Sequence, residues 1–187
     1  MIYVVSGFMR CGTSMMMRAL EAGGMGACYS AGRDKSMNSK FGEPDKPSGY
    51  LPNERYYELD PADYRATDFP APYEGKLIKC LWNGCTKLPP NHDYRVIFMR
   101  RPRIEIKMSL IAFFGHAHAN VESPFFDAEM DRIVALLRDR RSMITVDEIW
   151  YGDVLTKPLG VFKNLDWPID PEKAAAIPTR KEARFVA

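Results

Sequence analysis

The sequence predicts an α/β fold, a three-layer α/β/α sandwich with a mainly parallel sheet, and three observations predict it. An apolar, largely β-branched run from Ile2 to Val5 stops at Ser6-Gly7 and gives way to helical spacing. The strongest strand pattern of the chain, 94–99 (Tyr-Arg-Val-Ile-Phe-Met), is likewise followed by a helical recurrence of Ile104, Met108, Ile111 and Ala112. Strand and helix patterns then keep alternating to the end of the 187 residues, a length that suits a single domain over 1–187.

The elements follow in order. A first helix is expected over 13–22, stopped by Gly23-Gly24. Residues 25–29 read as a second short strand. From 30 to 48 the chain is rich in Gly, Ser, Asn, Asp, Lys and Pro without apolar periodicity, which predicts a long loop of the kind that is usually functional or mobile. Asn53 is positioned to cap a short helix reaching Leu59. The stretch 60–74, with Pro61, Pro70 and Pro72, reads as irregular, and 76–81 as a short apolar strand. After the 94–99 strand, Arg100-Arg101-Pro102 opens a helix. A loop over 115–124 carries His116 and His118. An amphipathic helix covers 126–140, with Met130, Ile133, Val134 and Leu137 on one face. A strand over 143–150, a helix over 152–165 and a short helix after Pro168-Ile169-Asp170-Pro171 complete the pattern, ahead of a basic tail (Arg180, Lys181, Arg184).

Composition narrows the function classes. A net charge of +2 is too small to imply nucleic-acid binding, and it suits a small anionic ligand. No stretch is apolar for long enough to span a membrane, and the first residues read as a core strand, not a leader; a soluble protein of a reducing cytoplasm is expected. The cysteines, Cys11, Cys28, Cys80 and Cys85, form no C-x-x-C pair and no metal spacing, so free thiols and no metal are expected. Cys11 lies where loop amides would lower its pKa.

The chemistry is expected in the loop after the first strand. Gly7-Phe8-Met9-Arg10-Cys11-Gly12-Thr13-Ser14 stands between strand and helix, so glycine-bounded backbone amides and the helix start converge on an anion. A nucleoside-triphosphate loop needs Lys directly after the second glycine; here Thr13 holds that place and the nearest cation is Arg10. Ligands of open parallel sheets bind beyond the carboxyl ends of the strands. At another such end Arg100-Arg101, with Ser109 about two turns into the next helix, makes a second phosphate clamp.

These residues resemble the sulfotransferase family. The 7–14 segment is similar to the family's 5′-phosphosulfate loop, and 94–101 continued through Glu105 to Ser109 is similar to its 3′-phosphate motif. Leu20 to Gly24, 45–50 and Trp150 to Leu155 with Pro158 resemble stretches of small bacterial members. The resemblance implies a P-loop nucleoside triphosphate hydrolase-like fold and 3′-phosphoadenosine 5′-phosphosulfate (PAPS) as donor, with 3′,5′-ADP as product and no metal. It implies that Gly7, Arg10, Cys11, Gly12, Thr13 and Ser14 hold the 5′-phosphosulfate. Arg101 and Ser109 would hold the 3′-phosphate and Tyr151 would lie near the adenine, with Arg180 or Lys181 adding to the phosphate site. Arg10 matches the catalytic loop cation, placed to stabilise the departing phosphate oxygen.

The general base stays open. The place of the family's strand-end histidine reads Lys79-Cys80-Leu81-Trp82, without one. Glu54 is the first candidate, with Asp45 and Glu43 behind it, and His116 or His118 as the alternative base or acceptor contact. The acceptor is expected to be a small molecule or saccharide, with neither nucleic acid nor membrane as partner; its identity and the oligomeric state are not legible. A kinase acting on a nucleotide or small molecule is the rival, with Asp147 at an acidic strand end, and a non-catalytic nucleotide-binding protein is the third class.

Overall fold

The computed structural model describes residues 1–41, 55–140 and 142–178, with backbone alone over 37–41. Its centre is an all-parallel sheet of four strands among the described residues: β1 (Ile2–Gly7), β2 (Leu77–Lys79), β3 (Tyr94–Arg100) and β4 (Ile144–Trp150), in the order β2-β1-β3-β4. Parallel pairing runs from Ile2 opposite Tyr94 to Gly7 opposite Met99, so the two strongest strand patterns lie side by side at the middle. Strands covered on both faces need continuous apolar runs, which β1 and β3 have; Val4, Val5, Val96, Ile97 and Phe98 are fully buried.

The helices are α1 (Thr13–Ala22), α2 (Ala31–Phe41), α3 (Trp82–Cys85), α4 (Arg103–Phe114), α5 (Ala119–Glu122), α6 (Phe126–Asp139), α7 (Tyr151–Thr156), α8 (Pro158–Lys163) and α9 (Pro171–Ala175). Chain order moves outward from β1 to β2 on one side and from β3 to β4 on the other. Right-handed crossovers in opposite directions carry their helices to opposite faces. The expected α/β class holds, and the arrangement is consistent with an α/β sandwich. No described helix is long and apolar enough to cross a membrane.

Several expectations need correcting. The predicted 30–48 loop begins with helix α2, started by Ser30, whose hydroxyl accepts the Arg33 amide at 3.1 Å. The strand expected at 25–29 is reduced to one bridge, Ala27 to Leu77. The described part of the expected 53–59 helix is not helical, because Glu58 bridges alongside Lys79 at the free edge of β2; Asn53 lies outside the described residues. Residues 152–165 form two helices, since Pro158 lacks an amide and turns the chain at Lys157. The 115–124 loop contains α5, whose Asn120 amide donates to His118 Nδ1.

Candidate functional site

The site grows from the end of β1. Gly7 has φ +138°, and a Cβ there would lie 2.7 Å from the carbonyl oxygen of Met99, so only glycine lets the loop leave this close to β3. Arg10 adopts a left-handed backbone (φ 68°), which turns the loop back toward the helix. Gly12, at φ +91°, is the residue before α1, and a Cβ on it would sit 2.4 Å from the Tyr151 ring. Because α1 begins on a glycine without a side-chain cap and with no acidic residue in its first turn, its first amides and their partial positive charge are left to an anion.

Side chains from distant segments close on this loop. Arg10 Nε donates to Ser109 Oγ at 3.0 Å, and its guanidinium lies 4.4 Å from the centre of the Phe113 ring, so two residues of α4 fix it. Arg101 is buried. It donates through Nη1 to the carbonyl of Arg10 at 3.0 Å and through Nε to Glu105 at 2.9 Å, and its guanidinium lies 4.3 Å from the Tyr151 ring centre. The two clamps expected as separate features are thus bonded to one another.

A cleft of about 260 Å³ opens here, bordered by Arg10, Gly12, Thr13, Ser14, Arg101, Ser109 and Tyr151. It also takes in three residues to which the sequence reading gave no role: Lys79, Glu58 and Arg33. Lys79 Nζ donates to the Tyr56 carbonyl at 2.6 Å and lies 3.3 Å from Ser14 Oγ and 3.6 Å from Glu58 Oε1. Burial pushes its ammonium below the usual lysine range and the Arg10 charge adds to this, while Glu58 pulls the other way. The sequence signal for it was a lone charge closing a buried strand; Glu58 and Arg33 left none. Among the described residues the cleft presents four cations (Arg10, Arg33, Lys79, Arg101) and one carboxylate, Glu58, which suits an anionic ligand.

Other candidates fall elsewhere. Cys11 is buried behind the loop, and burial pushes its thiol up to about 12 against the attraction of Arg101 and Arg100; the expected lowering is reversed. His116 is exposed and does not border the cleft; its ring stacks loosely with Phe114, 6.3 Å between centres. His118 caps α5 and packs edgewise on Phe8. Asp147 accepts a bond from Trp167 Nε1 at 3.2 Å and is not part of the cleft. Glu54, Asp45 and Glu43, as well as Arg180, Lys181 and Arg184, lie outside the described residues. The described residues contain no group of three or more His, Cys, Asp or Glu placed to hold a metal ion. Compared with models of protein families, with curated proteins and with solved structures, the chain matches none of them.

Proposed function

We propose that this chain is a P-loop sulfotransferase that moves the sulfuryl group of PAPS to a hydroxyl or amine. The observation that carries the reading is the junction of the two motifs: Arg10 of the loop is held by Ser109 and Arg101, residues 99 and 91 positions further along, at one cationic cleft. A nucleotide with charge at both its 5′ and 3′ ends matches such a pair of clamps. The loop amides and the start of α1 suit the 5′-phosphosulfate, and Arg101 with Ser109 suits the 3′-phosphate. Thr13 in the lysine place argues against a β/γ-triphosphate ligand.

In transfer the acceptor oxygen bonds to sulfur, the bond from sulfur to the phosphate oxygen breaks, and negative charge gathers on that departing oxygen. Cations and amides fixed before the reaction stabilise it without reorganising. Arg10 is fixed in this sense, by Ser109, Phe113 and its own backbone turn. The phosphoryl-transfer alternative draws no support from Asp147, which is bonded to Trp167.

Thermal unfolding with added ligands tests the reading. At about one hundred times its Kd, 3′,5′-ADP is expected to stabilise the protein by about 2.7 kcal/mol, a rise in Tm of roughly 5–10 °C. Arg101→Ala should shrink that rise toward the one given by 5′-AMP. Stabilisation by ATP–Mg²⁺ and none by 3′,5′-ADP overturns the proposal. Transfer of labelled sulfate should then be lost in Arg10→Ala.

A further inference from the structure

A second, larger cavity of about 520 Å³ adjoins the cleft, and the two share Arg33, Glu58, Lys79 and Leu81. It opens past the carboxyl end of β2, between the 58–69 segment and the chain from Cys80 to Pro89. Its walls are largely apolar, with Leu59, Tyr64, Phe69 and Leu88 among them. The Tyr64 and Phe69 rings lie 5.5 Å apart and tilted, which makes one side an aromatic surface. The Tyr64 hydroxyl is bonded to the carbonyl of Lys79, so it offers no proton to a ligand. Three of the four charged residues in its lining stand at the shared edge, where Glu58 lies 3.6 Å from Lys79 and 3.5 Å from Arg33; the fourth, Lys87, is exposed.

We propose that this cavity is the acceptor site and that the acceptor is an aryl alcohol, its ring on the Tyr64–Phe69 wall and its hydroxyl at the edge shared with the donor cleft. The assignment as acceptor rests on the sulfuryl-transfer reading; the binding of an aryl alcohol does not. A reacting group must touch both sites, and the shared edge is where their linings coincide. An aryl ring lays a wholly apolar face on that wall and needs one polar partner, for its single hydroxyl, whereas a saccharide needs partners for the several hydroxyls around its rim. Lys79 and Arg33 also favour the anionic form of an aryl hydroxyl brought between them. In the transfer step the hydroxyl proton passes to the Glu58 carboxylate and the oxygen bonds to sulfur. The electron pair of the broken sulfur–oxygen bond leaves with 3′,5′-ADP.

Equilibrium dialysis of the whole chain against 2-naphthol and against methyl β-glucoside tests this without nucleotide. Saturable, one-to-one binding of 2-naphthol, at least tenfold tighter than the glucoside, is expected. Asn83→Trp, on the exposed side of α3 where it borders the second cavity alone, should weaken 2-naphthol at least tenfold and leave the 3′,5′-ADP shift unchanged. If that variant does not fold, Lys87→Trp is the second filling substitution, at another exposed residue that borders this cavity and not the cleft. Preference for the glucoside, no binding of 2-naphthol, or equal binding by the folded filling variant overturns the proposal. Binding of 2-naphthol with no response to 3′,5′-ADP keeps the aryl site and removes sulfuryl transfer.

Discussion

Among the described glycines, Gly12 is the one whose added Cβ would come nearest a neighbour, the Tyr151 ring. Gly12→Ala must place a Cβ 2.4 Å from a ring carbon and hold an L side chain at φ +91°. Positive φ alone costs of order 1–3 kcal/mol. The variant should therefore lose at least that much in urea unfolding and lose its response to 3′,5′-ADP; wild-type stability would refute the contact with Tyr151. Residues inside a compact motif were legible from sequence because their spacing carries the geometry. Gly7, Arg10, Gly12, Thr13, Ser14, Arg101, Ser109 and Tyr151 all meet at or beside the loop. Lys79, Glu58 and Arg33 were not legible as a group, since a bridge between residues twenty-one positions apart joins them and no periodic pattern announces it. For Cys11, its place among the loop amides was legible but the desolvation that outweighs any lowering was not.

Helix α2 is the element least visible in the sequence. It has no apolar stripe, and two side-chain bonds tie its start to the body: Ser30 Oγ donates to Asp60 at 2.7 Å, and the buried Asp34 accepts the Tyr56 amide at 3.0 Å. Such polar anchoring leaves no hydrophobic period to read. Ser30→Ala should cost about 1 kcal/mol and lower Tm by roughly 2–4 °C, measured by circular dichroism. An unchanged Tm would mean that the cap does not hold this helix. The strands β1, β3 and β4, by contrast, were legible almost to the residue, whereas β2 is shorter than the expected 76–81 run and the 25–29 strand is a single bridge. β1 and β3, buried on both faces, must be nearly continuous apolar runs, and little else in a short run produces that pattern.

At the scale of the whole molecule the core sets the response to alkali. Burial pushes the thiols of Cys11 and Cys85 up to about 12 and about 11, and raises Cys80 as well. Above the ordinary thiol pKa of about 8.5 the unfolded chain loses protons that the folded chain keeps, so this stability is complete below that pH and declines above it. Lys79 acts in the opposite sense, because its lowered value makes the folded chain release a proton early. Three thiols outweigh one lysine, and each costs about 1.4 kcal/mol per pH unit. The urea midpoint under reducing conditions should fall between pH 8 and 10; a flat or rising midpoint would contradict the burial of these groups. The position of β1 at the middle of the sheet has a consequence in time. Its pairing partners are residues 77–79 and 94–99, and the loop it carries is fastened by Ser109 and Tyr151. During synthesis β1 emerges before both of its pairing partners and stays unpaired until some seventy residues have followed, so its apolar surface and open edges are exposed to wrong contacts for that interval.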